Sequence, residues 1–153
     1  MVVHASSFRP SATHTLVELP HVASAVPLAR RVLREELTAT NLPEDTVSTS
    51  ELLVSELVTN AVKYGKPPIW LLIELRPGLV HASVSDTSVV LPHRQQADPG
   101  SEGGRGLVVL DALAGSWGAV AVDSGKYLWF DLAVTPVRTP DGKAPAPRPQ
   151  PAA

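Results

Sequence analysis

The chain has 153 residues, a net charge of −2, 44% hydrophobic and 18% charged residues, which sets the expectation of one globular domain around one sizeable core. The absence of cysteine excludes disulfides and thiolate metal sites, and the five histidines are isolated rather than paired at ligand spacing. No apolar run approaches the roughly 20 residues needed to cross a bilayer, the start lacks the charged-then-apolar order of a secretory signal, and a slightly acidic balance gives no footprint for nucleic acid; a cytoplasmic protein with no membrane or nucleic-acid partner is expected.

Residues 1–12 read as a polar, flexible start, and residues 13–135 as the folded domain. Thr13–Leu19 is β-branched and alternating and ends at Pro20, which predicts a first strand. Over residues 22–38 the apolar positions Val22, Val26, Ala29, Leu33 and Leu37 recur at three- and four-residue steps, which predicts a helix in which Pro27 sits near enough to the start to be tolerated. Residues 41–45 read as a loop. Helical periodicity then runs over residues 48–64 until Gly65 and the Pro67-Pro68 pair stop it. Residues 69–75 and Leu79–Asp86 flank Pro77-Gly78 and predict a β-hairpin.

Residues 87–106 are poor in apolar side chains and rich in glycine and proline, which predicts a long, mobile loop of the kind that carries function. A short helix at residues 107–113 follows, then a second hairpin that turns at Asp123-Ser124-Gly125. The expected fold class is α+β, a two-layer sandwich of one largely antiparallel sheet with the helices on a single face. Six of the 15 prolines fall between Pro136 and Pro151, and the segment has almost nothing apolar to bury, so residues 136–153 read as a disordered Pro-rich tail outside the fold.

Three features carry candidate chemistry. On the second helix, Val47, Val54, Leu57, Val58, Ala61 and Val62 fall within one arc of roughly 140°, while Glu56, Thr59, Asn60 and Lys63 form a narrow stripe opposite. An ordinary solvated face accounts for such a stripe. Asn is nevertheless a poor helix former, and an amide oxygen aimed at a hard cation such as Mg²⁺ is one reason for it to be there. The second feature, Gly103-Gly104-Arg105-Gly106-Leu107, lies where the long loop meets a helix, so backbone N–H groups could approach a triphosphate; a plain flexible connection has the same composition. The third is Asp86, which ends an apolar strand. It could accept a hydrogen bond from an adenine amino group, or simply start a turn.

Taken in order, Glu56-Leu57-Val58-Thr59-Asn60-Ala61, strand-end Asp86 and Gly104-Arg105-Gly106-Leu107 resemble the ATP-binding domain shared by gyrase, Hsp90, histidine kinases and MutL. Within that superfamily the chain looks most like the small bacterial anti-sigma-factor serine kinases, and the late Ser116-Trp117-Gly118 and Trp129-Phe130 resemble the end of that domain. The resemblance implies ATP and Mg²⁺ as cofactors, with Asn60 as the metal ligand and Glu56 as general base. It implies Lys63 near the phosphates, Asp86 on the adenine, and Gly103, Gly104, Arg105, Gly106 and Leu107 closing over the triphosphate. The departure is Asp86-Thr87-Ser88-Val89-Val90, where the family often has Asp-x-Gly-x-Gly.

The implied activity is a serine/threonine kinase that acts on a small antagonist protein, an anti-anti-sigma factor, and can also sequester a sigma factor or similar regulator. The alternative is a non-catalytic nucleotide-binding module that sequesters a regulatory partner. A homodimer is open to either, since exposed apolar strand residues would permit one.

Overall fold

The computed structural model describes residues 2–6, 13–91 and 102–134, and for residues 2–6 and 102–107 the backbone alone. The element order is β1 (Val2–Ser6), β2 (Thr13–Leu19), α1 (Ala25–Ala39), α2 (Glu44–Tyr64), β3 (Ile69–Arg76), β4 (Leu79–Asp86), α3 (Glu102–Leu113), β5 (Ser116–Val122) and β6 (Gly125–Ala133). The six strands form one sheet in the order β1-β2-β3-β4-β6-β5, and every neighbouring pair is antiparallel. The expected α+β two-layer sandwich is the fold that forms.

Alternation along the strands decides which face is covered. Val17 and Leu19 of β2, Ile69, Leu71 and Ile73 of β3, Val80, Ala82 and Val84 of β4, and Leu128 and Phe130 of β6 are all buried. Ala29, Leu33 and Leu37 of α1, Leu53, Val54, Leu57 and Val58 of α2, and Leu110 of α3 close over them in the same core. On the other face Leu16 is exposed and Trp70, Leu72 and Trp129 are half-buried. The Trp129 ring stacks there on His81 at 6.0 Å.

The β3–β4 hairpin forms where Pro77-Gly78 predicts it, with Gly78 at φ 76°. Four expectations need correction. Part of the supposedly flexible start is strand: Val2–Ser6 pair with β2, which offers an open edge that a short segment can join without a strong pattern of its own. The second helix begins at Glu44, inside the expected loop, because Pro43 stands at its N-cap and Glu44 and Asp45 place carboxylates in its first turn. The first helix begins at Ala25, and Val22 lies outside it, 53% exposed.

The largest difference is at the third helix, which begins at Glu102 rather than 107. Gly103, Gly104, Arg105 and Gly106 are therefore helical, although glycine is a poor helix former. Packing outweighs propensity: α3 lies against α2, Leu110 is buried in the core, and Trp117 Nε1 donates to Asp111 Oδ1 at 2.8 Å to tie the helix to β5. The rest of the expected loop, residues 92–101, and the Pro-rich tail lie outside the described residues. Among the described residues no helix is long and apolar enough to cross a membrane.

Candidate functional site

Helix α2 is the spine of the site. Glu56 and Asn60 stand one turn apart, about 6 Å along its axis, so they share a face. Asn60 is only 8% exposed, whereas Glu56 and Thr59 are half-buried and Lys63 is exposed. An ordinary solvated face does not bury its asparagine, so at Asn60 that account of the stripe fails. Among the described residues the fully buried polar side-chain atoms left without a hydrogen bond are Ser50 Oγ and Asp86 Oδ2, and neither atom of the Asn60 amide is one of them. Its amide oxygen is the kind of hard donor that Mg²⁺ takes, so the residue type at this position fits a Mg²⁺ ligand.

One and a half turns later α2 ends at Gly65, whose N–H donates to Ala61 O at 2.9 Å. The chain after it is pinned to the end of β4: Thr87 N–H donates to Lys66 O at 2.9 Å and Thr87 Oγ1 to Pro67 O at 2.9 Å. This brings Asp86 against the C-terminal end of α2. A Cβ at position 65 would stand 2.6 Å from Asp86 Oδ2 and 2.6 Å from Ala61 O, so the close approach requires glycine. Position 125 is as tight, since Gly125 has φ 156° and a Cβ there would lie 2.0 Å from Asp86 O.

Asp86 performs the turn function that the sequence left open: its Oδ1 accepts from Ser88 N at 2.7 Å, and from Lys66 N at 3.3 Å. It also has a partner that no sequence motif marks. Lys126 lies directly across from Asp86 in the β4–β6 register, and both side chains are 1% exposed. The Lys126 ammonium sits 3.0 Å from each carboxylate oxygen and donates to Oδ1, while Oδ2 is in ionic contact but has no directed hydrogen bond. A carboxylate buried beside the negative end of a helix is doubly unfavourable, and the ammonium offsets both costs. The signal was present in the strand period: Lys126, Leu128 and Phe130 alternate on the inward face, so a lysine there must be buried and paired.

The structure thus brings Asn60, Glu56 and Asp86 onto or against one helix, and α3, which begins with the glycine-rich segment, packs on that helix. The backbone of residues 103–107 runs in α3; Lys63 lies one turn beyond Asn60 on the exposed side of α2.

The profile of the histidine kinase-like ATPase domain matches residues 19–130, well over half of the chain and all of α1 to β5. The chain belongs to the histidine kinase-like ATPase domain family. Membership in this ATPase family supports ATP binding. Among solved structures, the RsbU and RsbW domains of Rv1364c from Mycobacterium tuberculosis share the fold at a TM-score of 0.63 and 21% identity, over 79% of this chain and 32% of that one. The histidine kinase domain of the Erythrobacter litoralis EL346 blue-light activated histidine kinase matches at a TM-score of 0.47 and 21% identity, over 60% of this chain and 46% of that one. The chain therefore spans about a third of the first structure's length and under half of the second's. No curated protein matches it.

Proposed function

We propose that this ATPase-family domain is a Mg²⁺-dependent serine/threonine kinase of the anti-sigma-factor type, acting in the cytoplasm on a small antagonist protein and able to hold a sigma factor or similar regulator. The observation that carries the reading is Asn60, a polar residue only 8% exposed, one turn after Glu56 on α2 in a domain of the ATPase family. Phosphoryl transfer depends on positioning and charge neutralisation, so it needs few groups. Asn60 would hold Mg²⁺, which neutralises phosphate charge when bound. Glu56 takes the proton of the attacking Ser or Thr hydroxyl as its oxygen bonds to the γ-phosphorus and ADP leaves. Asp86 reads the base, Lys63 lies near the phosphates, and residues 103–107 of α3 contact the triphosphate.

One observation favours the second reading, a non-catalytic nucleotide-binding module that sequesters a partner: the Asp86 carboxylate is already engaged by Lys126, and Ser88 and Val90 stand where the family often has glycine. Incubation of the purified chain with γ-labelled ATP, Mg²⁺ and a lysate of its own cell separates the two. The kinase reading expects label on Ser or Thr of a small protein. ATP binding without any labelled protein would favour the sequestering module.

A further inference from the structure

The sheet face away from the helical core carries a trough. In register across β3, β4 and β6 stand Leu72, Ser83 and Trp129 in one row and Trp70, Ser85 and Tyr127 in the next, all half-buried. Neighbouring strands lie about 4.8 Å apart, so the large side chains of β3 and β6 stand about 10 Å from each other with only two serines between them. Trp129 is fixed from two sides: its ring stacks on His81, and Gly118 of β5 gives its edge room, since a Cβ there would lie 2.8 Å from Nε1. A wall set in advance loses little freedom when a chain docks against it. The next row, toward the β3–β4 turn, is acidic, with Glu74 and Asp131 flanking His81 in register.

We propose that residues 143–151 of this same chain dock in the trough as a polyproline II strap, with prolines against Trp70, Tyr127 and Trp129 and Lys143 against the acidic row. The segment Lys143-Ala144-Pro145-Ala146-Pro147-Arg148-Pro149-Gln150-Pro151 has too little apolar surface for a core. Proline-rich chain is nevertheless the usual occupant of aromatic-lined grooves, because its extended form is already set. The connection fits as well. β6 leaves the sheet beside the β3–β4 turn, where Val134 N–H donates to Gly78 O at 3.0 Å. Pro140-Asp141-Gly142 is a turn signal, which reverses the chain just before Lys143 and starts the strap at the acidic end. Nine residues of polyproline II span about 28 Å, and the eight residues of β4 about 27 Å. The strap carries two positive charges and no negative one. Asp131 keeps a third of its side chain exposed beside His81 and has acceptor capacity left for an ammonium. The tether makes docking intramolecular, so weak contacts suffice, and a strap in place leaves that face closed to a second copy.

Because the chain has no cysteine, Ala152→Cys gives a single site, just past the strap, for a nitroxide label. The indole N–H signals of Trp70, Trp129 and Trp117 in the full chain then report where the label sits, Trp117 being held on the core side by Asp111. The strap predicts that Trp70 loses most of its intensity, Trp129 less and Trp117 least. A free segment hanging from Val134 predicts the reverse for Trp70, which lies at the far end of the trough, and Trp70 as the least affected signal overturns the proposal. Pro145→Gly/Pro147→Gly/Pro149→Gly keeps the length of the segment and leaves the core untouched, and it should restore most of the Trp70 signal; an unchanged loss in that variant also overturns the proposal. A mixture of isotope-labelled chain without nitroxide and unlabelled chain with it should leave Trp70 intact. Loss of Trp70 in the mixture assigns the trough to the segment of a second copy, and concentration-dependent shifts of Trp70 with no nitroxide effect assign it to a second copy's own sheet; either result rules out the strap in this chain.

Discussion

Asp86 and Lys126 are each almost completely removed from water, and neither charge could stay there alone. This changes what a substitution at Asp86 measures. Asp86→Asn leaves a buried ammonium without its counter-charge, so a stability loss of about 3–5 kcal/mol accompanies any loss of nucleotide affinity. Asp86→Asn/Lys126→Met should recover at least half of that loss in urea denaturation without recovering affinity for ATP. Equal stability of the single and double variants would show that the pair is not coupled. At the neighbouring turn, Gly125→Ala forces a Cβ toward Asp86 O at φ 156°. Strain alone then costs about 1–3 kcal/mol, read as a lower denaturation midpoint. Asp86 was visible in the sequence because it ends a clean apolar strand. Lys126 was not singled out because no motif names it; only its phase in the strand marks it as buried.

Between elements, α1 and α2 meet along a polar seam as well as an apolar one. Arg34 of α1 forms a two-point contact with Glu51 of α2, at 2.8 Å and 2.9 Å, and reaches Glu44 at 3.1 Å; Arg30 bonds Ser55 nearby. The hydrogen bond from Arg34 holds the Glu51 carboxyl below its ordinary value of 4.5. A carboxyl whose folded value is lowered contributes stability that is present above 4.5 and lost as pH falls through the lower, folded value. The Arg34 side chain is 42% exposed, so solvent screens the pair and the contribution is small. Thermal melts should therefore show Glu51→Gln close to wild type at pH 3 and slightly less stable at pH 6. A larger gap at the lower pH would reverse the sign of the argument. Helix boundaries were the least legible part of the sequence at this scale. The start of α2 lay in Pro43-Glu44-Asp45, a helix-start pattern that was read as a loop. The glycines of α3 concealed five helical residues, 102–106, because packing against α2 outweighs their low propensity.

For the whole molecule, the helices and sheet close one core and set the end of β4 against the end of α2. That junction brings together the candidate site residues, which are far apart in sequence. Apolar alternation predicted the sheet, since β2, β3, β4 and β6 bury one side and expose or half-bury the other. It could not predict β1, whose five residues take their order from the edge of β2. Nor could periodicity say that Asn60 is buried, because which side of α2 the rest of the fold covers is decided by tertiary packing.

In the proposed kinase Glu56 and Asn60 divide the work of transfer and binding, and one measurement reaches that division: the single-turnover rate of phosphoryl transfer to the labelled partner at saturating Mg-ATP, for wild type and Glu56→Gln, with ATP affinity measured on both. Glu56→Gln should bind ATP within a few-fold of wild type and transfer roughly 10²- to 10⁴-fold more slowly, the usual share of a general base. Transfer by Glu56→Gln at the wild-type rate would contradict the catalytic assignment and leave the sequestering module as the better description.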